Sequence, residues 1–161
     1  MKIGVVSDTH NNLTNVRRIV ELFRAADVER VVHTGDITQP KTLRVFAELG
    51  RPFIGVFGNN DLGEREALES EATALGMRLA DPPLELDWAG RRILVVHDPR
   101  ELATHLREHD VALHGHDHER RIERSSGRLV FNPGECAGHL AGRNAVGVVD
   151  LLTLEVELLQ F

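Results

Sequence analysis

The chain opens with an apolar, β-branched run, Ile3–Val6, that breaks abruptly into the polar stretch Ser7-Asp8-Thr9-His10-Asn11-Asn12. An uninterrupted apolar run of this kind reads as a strand buried on both faces, the habit of parallel sheets. Thr14 is the candidate N-cap of a following helix. In it Val16, Ile19, Val20 and Phe23 recur at helical spacing, while Arg17, Arg18, Glu21 and Arg24 take the opposite face. The unit then repeats. Val31 and Val32 begin a strand that closes on His33-Thr34-Gly35-Asp36. A helix from about Lys41 follows, with Leu43, Phe46 and Leu49 on one side and Gly50 as its C-cap. Phe53–Phe57 forms a third strand ending in Gly58-Asn59-Asn60-Asp61, and a charged helix runs from about Glu64 to Leu75, where Gly76 stops it. Three strand–loop–helix units predict a parallel sheet with right-handed crossovers. Each leaves its polar cluster just past the strand's C-terminal end, where open α/β sheets place their ligands.

The second half changes character. Leu84-Glu85-Leu86-Asp87-Trp88 alternates with period two, as a half-buried strand does. After a turn at Ala89-Gly90-Arg91, Ile93–Val96 is a buried strand that delivers His97-Asp98. A helix is expected from about Pro99 to Glu108, carrying Leu102 and Leu106. Val111-Ala112-Leu113 then leads into His114-Gly115-His116-Asp117-His118. Arg121–Arg124 and Arg128–Phe131 flank Ser125-Ser126-Gly127 as a hairpin, and Asn132-Pro133-Gly134 makes a turn. Val146–Val149 and Leu154–Leu158 read as a closing antiparallel pair. The greater alternation predicts that the strands of this half form a second sheet. No linker interrupts the composition, so residues 1–161 are read as a single domain of two packed sheets.

Composition narrows the function. A net charge of −6 argues against anionic membranes or non-specific nucleic acid as the main partner. The single cysteine, Cys136, excludes an internal disulfide framework and a thiolate cage, and reads as a buried structural thiol. A reducing, cytoplasmic setting fits. No segment is long and apolar enough to span a bilayer. Oligomeric state is left open, a homo-oligomer included.

The strand-end polar residues are Asp8 and His10, Asp36, Asn59 with Asp61, His97, and His116 with His118. In extended backbone, residues two apart share a face, so each Asp-x-His or His-x-His pair reaches one site. Carboxylate, imidazole and amide oxygen together suit a borderline divalent metal such as Mn, Fe, Ni or Zn. The ligands are too many for one tetrahedral site and about right for two adjacent metals sharing a carboxylate. Around this set, His33 reads as a packed histidine that orients Asp36, and His114 as strand or supporting shell. His139 is placed to line the cleft. His105 and His109 sit four apart on the expected helix and could form a metal pair, but no carboxylate base motif accompanies them. Arg65, Arg100 and Arg143 are the candidates for a phosphate contact.

Asp-x-His, Gly-Asp, Gly-Asn-x-Asp, a lone His and Gly-His-x-His, in that order and each at an expected strand end, resemble the calcineurin-like metallophosphoesterase superfamily. The short length resembles its small bacterial and archaeal phosphodiesterases, the branch that also contains the retromer subunit. The resemblance implies an α/β fold, a four-layer αββα sandwich of two mixed sheets. It implies one metal held by Asp8, His10, Asp36 and His118, and a second by Asp36, Asn59, His97 and His116. Asp36 bridges the two. The cofactor expected is a pair of divalent ions, manganese first, with nickel, iron or zinc as alternatives, and the nucleophile a hydroxide between them. The substrate expected is a small phosphoester.

The chain departs from the family pattern in several places. Many relatives carry histidine where this chain has Asn60, and that histidine protonates the leaving group. Asp61 is kept, but its partner in the usual His-Asp dyad is not. Asp61 and Asn60 are therefore assigned to catalysis, and Asn11 and Asn60 to substrate contact. Without a general acid about 10²–10⁴-fold in rate is forgone, which favours diesters with good leaving groups over alkyl monoesters. Asp98 stands where relatives often have glycine after His97, and Glu135 where they often have serine after Asn-Pro-Gly. A monoesterase on the same site, or a scaffold like the retromer subunit, are the competing readings; the intact ligand set favours an enzyme.

Overall fold

A computed structural model describes residues 1–161. The first half follows the expected rhythm. Strand β1 (Lys2–Val6) leads to α1 (Leu13–Ala25), β2 (Arg30–His33) to α2 (Pro40–Ala47), and β3 (Phe53–Val56) to a 3-10 turn (Asn59–Glu64) and α3 (Arg65–Ala74). Asn12 rather than Thr14 caps α1: its side-chain oxygen accepts from the backbone N–H of Asn15 at 3.2 Å, so the helix starts earlier than the cap rule suggested. Glu48 caps α2, and Gly50 follows in the left-handed region. A short strand with no sequence forecast, β4 (Arg78–Ala80), extends the parallel sheet beyond β3.

The second sheet contains β5 (Leu84–Trp88), β6 (Arg91–Val95), β7 (Val111–Leu113), β8 (Arg121–Ser125) and β9 (Arg128–Asn132), in the order β5-β6-β7-β9-β8. The helix expected over 99–108 is much shorter. A 3-10 turn (Pro99–Glu101) passes into a single helical turn, α4 (Leu102–His105). The Arg128 guanidinium takes the carbonyls of Arg107 and His109, and the His109 ring accepts from the Arg107 N–H. These bonds hold residues 107–109 out of the helix.

The closing pair, β10 (Ala145–Asp150) and β11 (Glu155–Gln160), corrects the sequence reading. It belongs to the first sheet, ordered β11-β10-β1-β2-β3-β4. β10 runs antiparallel along β1, with Ile3 opposite Val149 and Val5 opposite Gly147. Both sheets are therefore mixed, as expected, though by a different route.

Side-chain alternation sorts the core into layers. Val6, Val31 and Phe53 face α1–α3, whereas Ile3, Val5, Val32 and Ile54 face β6, β7 and β9 through Ile93, Val95, Leu113 and Phe131. The helix-side cluster has 18 buried residues and the inter-sheet cluster 16, but the outer face of the second sheet has only 5, because α4 covers little of it. No helix is long and apolar enough to cross a membrane. The stacking brings the C-terminal ends of β1, β2 and β3 against those of β6 and β7. The Gly115 N–H meets the His97 carbonyl at 3.0 Å, and a ring nitrogen of His97 meets the Thr34 carbonyl across the sheets at 2.9 Å.

Candidate metal centre

Every strand-end residue nominated as a ligand arrives at this edge. Asp36 lies at its middle, with Oδ2 3.5 Å from His10 Nε2 on one side and 3.5 Å from His97 Nε2 on the other. The first side is completed by Asp8 Oδ1, 4.0 Å from His10 Nε2 and 3.7 Å from His118 Nε2. On the second, Asn59 Oδ1 lies 3.0 Å from both His97 Nε2 and His116 Nδ1, and those two nitrogens are 3.2 Å apart. One oxygen thus touches two clusters of donor atoms.

The backbone that delivers these groups is unusual. Asp8, His10, Asp36, His116 and His118 all have positive φ, between 41° and 76°. Asp, Asn and His tolerate this region better than other residues with a Cβ, and its concentration at one edge is typical of functional sites. Two glycines permit the close approach. A Cβ on Gly58 would lie 2.1 Å from Asp36 Oδ1, and one on Gly115 2.6 Å from Asp8 Oδ2.

Hydrogen bonds fix which atoms face inward. His97 Nδ1 meets a carbonyl, which only accepts, so it carries the proton and leaves the Nε2 lone pair free. His118 Nδ1 donates to Glu135 Oε2, again leaving Nε2 toward Asp8. Asp8 Oδ2 accepts from the Ser7 hydroxyl and, at 3.0 Å, from the His116 N–H, so Oδ1 is the oxygen aimed at the histidines. In the supporting layer, His33 Nδ1 accepts from the Gly35 N–H at 3.1 Å, so its Nε2–H donates to Thr9 Oγ1 at 3.0 Å. Burial holds the His33 imidazole down to about 3, despite the opposing pull of Asp36. His33 therefore stays neutral and braces the loops on either side of Asp36, as its position in the strand suggested.

Electrostatics identify what this edge lacks. Asp8, Asp36, Asp61 and Glu135 are buried carboxylates, and no lysine or arginine lies within ion-pair distance of any of them. Burial raises the Asp8 carboxyl against the opposing pull of Ser7 and two histidines. Burial likewise depresses His10, against Asp36 and Asp8. Asp8 Oδ1 and His10 Nε2 are both buried without a hydrogen-bond partner. Buried charge without a countercharge, and a buried acceptor pair without a donor, are costly unless a cation answers them. The donor set and its orphaned atoms fit divalent metal.

Other nominated residues sit differently. Asp61 faces away from the cluster: its carboxylate accepts from the backbone N–H groups of Gly58 at 2.8 Å, Asp36 at 2.9 Å and Thr38 at 2.6 Å. Burial raises its carboxyl even against those bonds. The Asn60 amide donates to Asp36 Oδ2 at 2.7 Å, and its backbone N–H to Asp36 Oδ1 at 2.9 Å. Asn60 and Asp61 together position the central carboxylate. The Asn11 side-chain oxygen is buried without a partner. His114 is buried behind the His-x-His turn, and burial lowers it. His105 and His109 form no metal pair; the latter is engaged with the Arg107 N–H. The exposed His139 ring packs 5.7 Å from His118 and 5.2 Å from His10, lining the cleft as expected.

Sequence reasoning missed Glu135 as a site residue. It is buried, holds His118 with one oxygen and accepts from the His139 N–H at 2.6 Å with the other. A carboxylate directly after Asn-Pro-Gly in an otherwise apolar stretch was the available signal.

Comparisons with known proteins show the family and the fold. The calcineurin-like phosphoesterase superfamily domain matches residues 1–154. A phosphodiesterase of Methanocaldococcus jannaschii is 35% identical over 155 residues, covering 93% of each chain. The solved structure of an archaeal phosphodiesterase superposes with a TM-score of 0.90 at 33% identity over the whole of both chains. Vps29 of Entamoeba histolytica, at 16% identity and a TM-score of 0.72, covers 100% of this chain and 99% of its own, and shows the shared fold alone. On the family match over nearly its full length and on the edge that gathers its buried carboxylates and histidines, the chain belongs to the calcineurin-like phosphoesterase superfamily.

Proposed function

We propose that this chain, as a single domain over residues 1–161, is a metal-dependent phosphodiesterase acting on small phosphoesters with two divalent ions. Asp8, His10, Asp36 and His118 would hold one ion, and Asp36, Asn59, His97 and His116 the other. The observation that carries this reading is Asp36 Oδ2, equidistant at 3.5 Å from an imidazole nitrogen of each cluster. The mixed nitrogen and oxygen donors make manganese the ion to test first, with nickel, iron and zinc as alternatives. When bound, such ions supply Lewis acidity that acidifies water and neutralises charge on the phosphoryl oxygens.

The chain's own residues do the rest. Asp61 and Asn60 hold Asp36 in place from behind and from the side. Thr34 and Glu135 fix the tautomers of His97 and His118. The Asn60 amide is committed to Asp36 and has no proton to give a leaving group. Reaction therefore favours esters whose leaving group departs as the anion, hence aryl and activated diesters over alkyl monoesters.

Purified protein supplied with manganese is expected to hydrolyse bis(p-nitrophenyl) phosphate faster than simple alkyl phosphates. Asp36→Ala is expected to lose both metal, by elemental analysis, and turnover. Turnover retained in that variant removes the bridging role, and comparable rates on alkyl monoesters remove the diester preference.

A further inference from the structure

Beside the first donor cluster, on the His118 side, lies a pocket of about 200 Å³ with no hydrophobic side chain in its wall. His118 belongs both to this pocket and to the metal-side cluster, so the two share a wall. Arg120, Arg143, Gln160 and Glu135 all line it. Arg65 and Arg100, the other arginines considered for phosphate, are engaged elsewhere. Arg65 makes bonds of 2.6 and 2.9 Å to Asp81, and Arg100 is clasped to Asp98. Most other arginines in this acidic chain are bound to a carboxylate, a carbonyl or an aromatic ring. Arg17, Arg78, Arg120 and Arg143 have none of these, and two of them meet in this one pocket. The only carboxylate in the wall, Glu135, already takes His118 and the His139 N–H.

Two unpaired guanidinium groups beside an amide, in a small hydrophilic recess, are suited to a phosphate group, which arginine grips with paired N–H donors. The volume is below the roughly 300–1,000 Å³ of pockets that hold a whole small-molecule ligand, so it takes one arm of a substrate. A second recess, about 270 Å³, borders the other donor cluster at Asn59, His97 and His116, with Leu62 and Phe57 in its wall. A diester centred on Asp36 therefore has a separate place for each of its two arms.

Resting on the phosphodiesterase reading, we propose that the Arg120–Arg143 pocket is a subsite for a second phosphate carried by the same substrate. The substrate class is then a phosphodiester that carries a second phosphate, either a terminal phosphate or a neighbouring phosphodiester linkage. The chemistry of the two is the same at the pocket, and the ligands below separate them.

The test uses metal-loaded protein and dinucleotide analogues with a non-hydrolysable methylene phosphonate linkage, so that binding is read without turnover. Three probes are compared by calorimetry: the bare dinucleotide analogue, its 5′-phosphorylated form, and the trinucleotide analogue. The wild type is expected to bind the phosphorylated form, the trinucleotide, or both at least about tenfold more tightly than the bare dimer, a gain of about 1.4 kcal/mol. Arg120→Gln/Arg143→Gln is expected to reduce that gain to about twofold or less, and Arg143→Gln alone to reduce it part way. Which probe gains identifies the terminal or the internal phosphate. Equal affinity for all three probes, or a gain that survives in the double variant, overturns the subsite. The phosphodiesterase reading fails separately, by absence of bis(p-nitrophenyl) phosphate hydrolysis.

Discussion

Glu135→Gln removes no atom from the pocket wall and changes only which bonds the side chain can make. Glu135 Oε2 takes the proton of His118 Nδ1, and Oε1 takes the His139 N–H at 2.6 Å. Glutamine has one acceptor and one donor at these positions. If its oxygen faces His118, its NH₂ points at the His139 N–H, and two donors confront each other in a buried site. If its oxygen faces His139, its NH₂ faces His118 Nδ1, which must then give up its proton to Nε2. That second arrangement closes the lone pair aimed at Asp8 Oδ1, 3.7 Å away. The first arrangement loses one bond outright and both lose the carboxylate charge that strengthens the pair, at a cost of up to about 1.5–3 kcal/mol of stability. Loss of a partner that orients a metal-ligating histidine costs about 10–100-fold in metal affinity, or about 1.4–2.7 kcal/mol.

The assay is manganese titration of chelator-treated protein by calorimetry, beside urea unfolding of the same metal-free samples. The variant is expected to bind one equivalent at least about tenfold more weakly while the other is little changed. The metal-free pair also gives a pH signature. Burial alone would raise Glu135, but its bonds to His118 and the His139 amide outweigh it and hold it below 4.5. Burial alone would lower His118, but Glu135 and Asp8 outweigh it and hold it above 6.5. The glutamate's contribution is complete above 4.5 and lost as pH falls through its folded value. The histidine's is complete below 6.5 and lost as pH rises through its folded value. The stability difference between wild type and Glu135→Gln is therefore expected to peak between pH 4.5 and 6.5. Unaltered affinity at both sites, together with a difference that is flat in pH, refutes the orienting role.

Gly58→Ala is expected to abolish metal-dependent turnover and to cost about 1–3 kcal/mol of stability, because the new methyl carbon would lie 2.1 Å from Asp36 Oδ1; wild-type kinetics in that variant would mean the loop moves freely. Asn60→Ala is expected to weaken metal binding with little change in KM at saturating metal, since its amide serves Asp36 at 2.7 Å; a raised KM with unchanged metal affinity would instead make Asn60 a substrate contact. Metal-free wild type is expected to lose stability as pH falls from 6.5 toward about 3, because the unfolded chain takes up a proton that buried His33 refuses. The slope attributable to His33 reaches at most about 1.4 kcal/mol per pH unit, and urea titrations of His33→Gln should show it gone; parallel curves would contradict that assignment.

The first half of the fold was legible because apolar runs and amphipathic helices alternate there, and each strand hands its polar residues to the same edge. The destination of the closing pair was not. Val146–Val149 is as apolar as any central strand, and nothing in its periodicity says whether it lies on β1 or on the second sheet; the pairing of Ile3 with Val149 is a tertiary choice. The short α4 escaped for a similar reason, since the bonds that hold residues 107 and 109 out of the helix come from Arg128, far along the chain. In the site, the candidate ligands were visible as types at strand ends. The working partners of Asn60, Asp61 and Glu135 were not, because sequence shows that a polar group is present but not which neighbour absorbs its hydrogen bonds.

The left-handed corners at Asp8, His10, Asp36, His116 and His118 carry a consequence for the chemistry open to this edge. Torsion there sieves the alphabet before any ion does. Glutamate and cysteine bind cations well but sit poorly at positive φ, whereas aspartate, asparagine and histidine accept it. The backbone thereby favours short oxygen donors and imidazoles over thiolates at these corners, which is the donor set of borderline divalent ions rather than of soft ones.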